Sequence, residues 1–354
     1  MKAFRIILLV FNILAAIALV ATTLAGAVAP SSSMLPSVLA YGFLPMLLLN
    51  VVLIIVWLVM MRWECLISIA VILARFSYIG LFFQIGGTPE VPPVAEHPGM
   101  VTLMSYNLHN FGGNGFESVA KDSNAHSFLA LLREQQPDIL CLQEYSPIMG
   151  VADSLSSMGY NHRFGARGGE TTPSGTVVFS RLPITYVKRI DQQKVMVELE
   201  KNSRRFRLCC VHMDSYAFDL EDRNDIEQMR HGKIDSTSRR TLSKAKETVL
   251  KHEEEWSNHL CPLVRDCRLP LIFAGDMNDI PSSWLYSQIT NYLDDTYREE
   301  GSGFGSTYNG SFPRFRIDMV FHNDGFTTLS YNRIESDISD HYPVLVALEL
   351  KNKN

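Results

Sequence analysis

Hard oxygen ligands and imidazoles recur in this sequence directly beside short apolar runs. Asn107 follows VTLMSY, Glu144 follows ILCLQ, His212 follows RLCCV, and Asp276 and Asn278 come just after LPLIFAG. Asp318 follows FRI, and the pair Asp340–His341 sits just before the last apolar run. Polar groups delivered by apolar strands must be paired, ligated or turned to a substrate. Four carboxylates, two carboxamides and two histidines favour Mg2+ or Mn2+ over a structural zinc. A hard divalent ion among carboxylates suits phosphoryl transfer, because it neutralises phosphate oxygens and lowers the pKa of a bound water. A histidine paired with an aspartate can hold one tautomer and meet a phosphate. Taken singly, each residue has a plain alternative: Asn107 and Asp276 as turn residues, Glu144 as a helix cap, His212 as a core histidine, Asp318 as a surface carboxylate, Asp340–His341 as a simple loop. His109 reads as a structural or supporting residue rather than a ligand.

The elements that must position these residues alternate in type. Strands are expected at 101–106, 139–142, 174–179, 194–199, 205–212, 269–273, 317–321 and 344–350, with helices at 124–134 and 238–252. Strands interleaved with helices and with hairpin-like returns do not suit a purely parallel sheet; two packed sheets with helices outside accommodate the order. Two segments can form a rim. The run 213–240 carries Arg223, Arg230, His231, Lys233, Arg239 and Arg240, and the glycine-rich run 301–310 carries two aromatics that could stack on a base.

In this order the motifs resemble the endonuclease/exonuclease/phosphatase superfamily of DNase I-like phosphoesterases. The likeness is carried by SYN (105–107), QE (143–144), SRLPI (180–184), VHMDS (211–215), GDMND (275–279), RID (316–318) and SDHYP (339–343), and spans about residues 100–350. The resemblance implies a four-layer α/β sandwich with two central, mostly antiparallel sheets. It implies that Glu144 is the main Mg2+ (or Mn2+) carboxylate, with Asn107 close by and Asp340 helping. Asp276 would orient or deprotonate the attacking water, and Asn278 would contact the phosphate. His341 would meet the scissile phosphate with Asp318 fixing its ring, and His212 would touch a phosphate oxygen or assist the leaving group. Thr176 and Val177 stand where the family often has an Asn–Ala pair. Arg163, Arg167 and Arg181 are candidate phosphate-side positives that spacing cannot separate.

The remaining sequence is of another kind. Residues 1–86 hold four basic side chains and one acidic one, net +3, which leaves 28 basic and 36 acidic, net -8, in the rest of a chain whose total is -5. Long uncharged runs predict two or three transmembrane helices, at about 6–29, 34–61 and 65–83, the third with Arg75 near its middle. The expected domains are therefore a membrane anchor at 1–86, a proline-rich linker at 87–99 and a catalytic domain at 100–354. Lys2, Arg5 and Arg62 assign the N-terminus and the second loop to the cytoplasm. Three spans then put the catalytic domain outside an inner or plasma membrane, the placement expected here, and two would leave it inside. Cys261 and Cys267 could close a disulfide outside, whereas Cys141, Cys209 and Cys210 read as small apolar residues.

Together these features predict a membrane-anchored, metal-dependent phosphodiesterase, most like an endonuclease. One competing reading is a phosphodiesterase or phosphatase acting on a lipid or small phosphoester, sphingomyelinase-like or inositol-phosphatase-like. The other is an inactive tethered interaction protein. The partners expected are the bilayer and a phosphoester substrate, with no obligate protein partner evident. The acidity of the soluble part argues against salt-driven binding to nucleic acid, but weakly, since Glu144, Asp276, Asp318 and Asp340 belong to the site.

Overall fold

In the computed structural model the described residues are 2–112, 118–165, 174–216, 236–310 and 314–351. The strands are, in chain order, β1 (Phe83–Gln84), β2 (Met100–Asn107), β3 (Ile139–Tyr145), β4 (His162–Gly165), β5 (Gly175–Ser180), β6 (Ile184–Arg189), β7 (Lys194–Lys201), β8 (Arg204–His212), β9 (Leu271–Asp276), β10 (Asp294–Asp295), β11 (Gly303–Phe304), β12 (Asp318–His322), β13 (Phe326–Arg333) and β14 (Val344–Leu350). They build two six-stranded sheets, ordered β10-β12-β9-β8-β7-β6 and β13-β14-β2-β3-β5-β4, and the small pair β1-β11.

Period-two alternation explains how the strands serve two cores at once. Val101 and Leu103 of β2, with Ile139 and Cys141 of β3, enter the core that also holds Val195, Leu208, Cys210, Ile272 and Val320 of the other sheet. Their neighbours Met104, Tyr106, Leu140 and Leu142 face the opposite way. There they meet Ala125, Phe128, Leu129 and Leu132, which recur at helical spacing along helix Ser118–Gln135. Strands buried on both faces read as nearly continuous apolar runs, as these do.

Each sheet contains one parallel pair, β2 with β3 and β8 with β9; the other strand pairings in these two sheets are antiparallel. A parallel pair brings two C-terminal strand ends to one edge. Asn107 is thus in register with Gln143, next to Glu144, and His212 with Asp276. The return strand β12 runs antiparallel to β9 and sets Asp318 directly opposite Asp276.

The chain divides into two compact units. The strands belong to one, formed by Phe82–Asp214, Asn258–Asp279 and Thr290–Asn354. The other comprises Met1–Leu81, Ser215–Ser257 and Ile280–Ile289. Its core is three segments of alternating direction, helices Lys2–Ala21, Phe43–Val59 and Cys65–Ala74, the last continued by Phe76–Ile79. Apolar side chains such as Ile7, Leu14, Leu48, Ile55, Leu66 and Leu73 lie exposed on the outside, while Asn12, Asn50 and Ser68 are fully buried within. These polar groups form a closed network. Trp57 Nε1 donates to Asn12 Oδ1 (2.6 Å), Asn12 Nδ2 to Ser68 Oγ (2.9 Å), Ser68 Oγ to Asn50 Oδ1 (2.8 Å), and Asn50 Nδ2 to the carbonyls of Ala15 and Met46. At one end Arg5 Nε pairs with Glu64 at 2.6 Å, and at the other Tyr78 donates to the Thr23 carbonyl at 2.8 Å. The turn between the first two helices also meets the later segments of this unit. Ser31 binds Glu253 of helix Ser236–Glu255 through its N–H (2.7 Å) and hydroxyl (2.6 Å), and Tyr41 bonds Tyr216 at 2.8 Å.

These helices are shorter than the expected spans at 6–29, 34–61 and 65–83, and the second and third runs are broken. Only Lys2–Ala21, among the described residues, is long and apolar enough to cross a bilayer by itself; Phe43–Val59 and Cys65–Ala74 are shorter. The second run breaks at Tyr41–Gly42, with Pro45 in the first turn of the new helix, where its missing N–H is not needed. The third breaks at Arg75 (φ -115°, ψ 18°), so its 10-residue first part rises about 15 Å, half a hydrocarbon core. The bridge that Cys261 and Cys267 could close is not formed; both thiols are free. Each has its own partner, Tyr292 for Cys261 and the Leu269 carbonyl, at 3.6 Å, for Cys267.

Candidate active site

The polar residues expected at strand ends converge at the shared edge of the two sheets. Asn107 is buried and spans them, its Nδ2 donating to Asp276 Oδ2 (2.9 Å) and Glu144 Oε1 (3.2 Å). His212 Nε2 lies 3.9 Å from Glu144 Oε1 and 3.8 Å from Asp276 Oδ2. His341 Nδ1 bonds Asp318 Oδ2 at 2.8 Å, and its Nε2 lies 3.9 Å from Asp276 Oδ2. Asp340 Oδ1 bonds His109 Nδ1 at 2.8 Å.

The backbone is bent to reach this geometry. Glu144 has φ 48° and sits in the irregularity where β3 slips against β5 between Leu142 and Tyr145. Asn278 has φ 46°, and its N–H closes a turn onto Asp276 Oδ1 at 2.8 Å. His109, Asn110 and Phe111 are consecutively left-handed, with φ 42°, 53° and 61°. Such conformations cost about 1–2 kcal/mol per residue, and burial of Phe111 against Phe128 and Tyr145 offsets them. Gly275 has φ 146°, and a Cβ there would lie 1.8 Å from the Val211 carbonyl oxygen. The glycine of GDMND therefore lets β9 close on β8 and brings Asp276 beside His212.

Charge is crowded here. Burial, reinforced by nearby Asp318, raises the pKa of Asp276. Burial opposes a charged His341, but Asp318 and Asp276 outweigh it and push its pKa up to about 10. The hydrogen bond that the His109 ring makes to the Asp340 carboxylate raises the pKa of His109. For Asp340 burial acts upward, yet His109 and His341 prevail and hold its carboxyl below the usual range.

The donor set fits a divalent cation. Ligand atoms of Asp276, Asp318 and His341 lie within 4.8 Å of one another, a candidate metal cluster. Asp318 Oδ1 and both ring nitrogens of His212 are buried without a hydrogen-bond partner. Buried polar atoms left so imply a bound ion, water or substrate. Within the cluster, His341 is a poor ligand, because a protonated ring has no lone pair to give.

Several expectations are refined. Asn278 Nδ2 donates to the Met213 carbonyl (2.9 Å), so its amide fixes the turn after β8. Arg181 belongs to the opposite end of β3: it covers the Tyr160 ring at 4.8 Å and donates to the Gln136 carbonyl. Arg163 is in β4, in register with Phe179 near that same end. Thr176 donates to the Gln193 carbonyl at 2.8 Å. Arg167, Arg223, Arg230, His231 and Lys233 lie outside the described residues, as does the side chain of Arg239. Tyr308 does not project from the glycine-rich rim; its ring packs edge-on against His341 at 5.3 Å.

Sequence reasoning missed Thr307. Its hydroxyl accepts the N–H groups of Ile317 (3.1 Å) and Asp318 (3.0 Å), and its carbonyl accepts that of Tyr342 (2.7 Å). It thereby ties the strand bearing Asp318 to the loop bearing His341. No local signal marks it, since a threonine in a glycine-rich run reads as loop.

The Endonuclease/Exonuclease/phosphatase family pattern matches residues 104–212 and 250–341, more than half of the chain. The chain belongs to this family. Residues 5–82 match a separate domain of unknown function, DUF8431. No curated protein matches the sequence. Among solved structures, the endonuclease/exonuclease/phosphatase from Bacteroides vulgatus is 15% identical with a TM-score of 0.50, covering 71% of this chain and 99% of its own. That from Bacteroides thetaiotaomicron is 18% identical (TM-score 0.48; 72% and 98% covered). The human Nocturnin catalytic domain with bound sulfate is 15% identical (TM-score 0.49; 72% and 95%). At such identities the likeness is one of fold. Membership in the family, together with the acidic cluster, supports metal-dependent phosphoester hydrolysis by this endonuclease/exonuclease/phosphatase protein.

Proposed function

We propose that this protein is a membrane-anchored phosphodiesterase that uses Mg2+ or Mn2+, with its catalytic unit on the extracytoplasmic side. The reading of the chemistry is carried by one observation: a His341–Asp318 dyad faces Asp276 beside the Asn107–Glu144 pair. Glu144, with Asn107 and Asp340 near it, would hold the cation, which supplies charge neutralisation to the phosphoryl oxygens. Asp276 takes the proton of the attacking water; its raised pKa makes it a better base than an ordinary carboxylate. Asn107 Nδ2 and the Asn278 N–H hold that carboxylate in place. The His341 ring, charged and steadied by Asp318, offers Nε2–H to a phosphoryl oxygen. His212 Nε2, without a hydrogen-bond partner, is positioned to meet a second oxygen or the leaving group.

The helical unit supports the anchor. A polar interior under an apolar exterior inverts a water-soluble bundle and suits lipid, where interhelical hydrogen bonds hold helices together. The three segments alternate in direction. Arg5 and Glu64 mark one end, in sequence with Lys2 and Arg62; Thr23 and Tyr78 mark the other, from which the chain leaves at Leu81. Basic residues at the first end favour the cytoplasm, so the exit is extracytoplasmic.

The test is hydrolysis of bis(p-nitrophenyl) phosphate by the full chain with Mg2+ or Mn2+, followed by plasmid DNA, RNA, phosphoinositide and sphingomyelin. Turnover that Glu144→Ala abolishes is expected. Equal activity in both proteins would remove Glu144 from the site, and none on any substrate would leave only the inactive tethered interaction protein.

A further inference from the structure

The catalytic unit takes hold of the chain at the residue after Leu81. Gly305 N–H donates to the Phe82 carbonyl at 3.2 Å, and β1 pairs antiparallel with β11, setting Phe83 opposite Phe304. Thr88 closes this clasp, its N–H donating to the Glu300 carbonyl (3.2 Å) and its carbonyl accepting from Tyr331 (2.9 Å). Gly87 permits it, since a Cβ there would stand 2.3 Å from the Gly301 carbonyl oxygen. The segment is thus stitched down before residue 89.

Three apolar side chains stand out from the clasp. Phe83 is 36%, Phe304 66% and Ile85 89% exposed, and the two rings meet edge to face at 5.0 Å. Contiguous exposed apolar groups mark a surface that something covers. The chain itself limits what that is. Phe83 is two residues beyond Leu81, at most about 7 Å of backbone, so the tether holds it within that reach of the anchor's last residue. Aromatic side chains favour the boundary between headgroups and acyl chains.

We propose that Phe83, Ile85 and Phe304 form a bilayer-docking patch that seats the catalytic unit on the membrane holding its own anchor. This rests on the reading that residues 1–81 lie in the bilayer. Thr307 and Tyr308, which clamp Asp318 and His341, follow Phe304 within four residues. Seating Phe304 therefore holds the catalytic dyad near the lipid surface, and the site favours phosphoesters borne by that membrane over those in solution.

The experiment uses the full chain in phosphatidylcholine vesicles with a photoreactive benzophenone amino acid at Phe304, or at Tyr186 on the far edge strand β6 as control. After irradiation, mass spectrometry is expected to find phosphatidylcholine adducts at 304 and not at 186. Cross-links to a second copy of the chain, or no adduct while the chain floats with vesicles, overturns the patch and leaves the anchor standing. A chain that does not float overturns both. A second measurement uses the double variant Phe83→Ser/Phe304→Ser. Its turnover of hexadecyl p-nitrophenyl phosphate in vesicles is expected to fall about tenfold as local substrate concentration is lost, with soluble bis(p-nitrophenyl) phosphate unaffected. Equal effects on the two substrates would overturn the proposal.

Discussion

Two buried polar clusters, one in each unit, are built in opposite ways. In the helical unit, Asn12, Asn50, Ser68 and Trp57 satisfy one another and two backbone carbonyls. At the sheet edge, Asp318 Oδ1 and the His212 ring lack hydrogen-bond partners, and Asp276 is crowded by Asp318. A closed network specifies structure, because every alternative packing would strand a polar atom. An open one holds charge ready for an ion and a substrate. The difference separates polar burial that builds the molecule from polar burial that works.

That contrast can be broken, most severely at the open network. His341→Ala is expected to lower kcat about 10³-fold, as loss of a transition-state donor does, with the fold intact by circular dichroism. A drop under tenfold would remove His341 from the chemistry. Thr307→Val orphans two buried N–H groups, at a cost of about 1–3 kcal/mol each. It should lower the melting temperature and also lower kcat with little change in KM. Loss of stability alone would make Thr307 merely structural.

The closed network predicts smaller, purely structural effects. Asn12→Leu should weaken the helical unit by about 1–2 kcal/mol in lipid, leaving kcat on a soluble substrate unchanged. A change in kcat would show that the two networks are coupled. The pH response sharpens the contrast further. His341 has its pKa raised on folding to about 10. Its stabilisation is complete below the unfolded value, about 6.5, and is lost as pH rises through the folded one. Metal-free protein should therefore lose stability between these limits, and His341→Gln should flatten that slope. The smallest effect is expected from Arg181→Ala, which removes a side chain committed to Tyr160 and Gln136 far from the site. Activity within twofold of wild type checks this.

Much of the sandwich was legible because its central strands are buried on both faces. VTLMSY, ILCLQ, RLCCV and LPLIF are largely apolar runs too short for helices, each leading into a polar residue. Besides the two-residue strands β1, β10 and β11, the strands that escaped notice were β4, β6 and β13, and these three lie at sheet edges. There the solvent face admits Tyr186, Lys188 and Arg189, and a register slip between Thr328 and Ser330 blurs the alternation of β13. Helix lengths in the apolar part were less legible, since hydropathy reports where apolar residues occur and not where Gly42 or Arg75 interrupts the backbone.

By itself the sequence determined the chemical inventory: which carboxylates, amides and imidazoles exist, and that each ends or borders an apolar strand. Local pattern suffices for that, because strand burial is a property of a few consecutive residues. Only the tertiary structure decided the pairings. Asn107 bridges Glu144 and Asp276, His109 takes Asp340, and Thr307 ties Asp318 to the His341 loop across separations from 11 to 231 residues. Those contacts follow from the register of two sheets packed face to face. No neighbouring residue encodes that register, since it arises from the fit of both cores together.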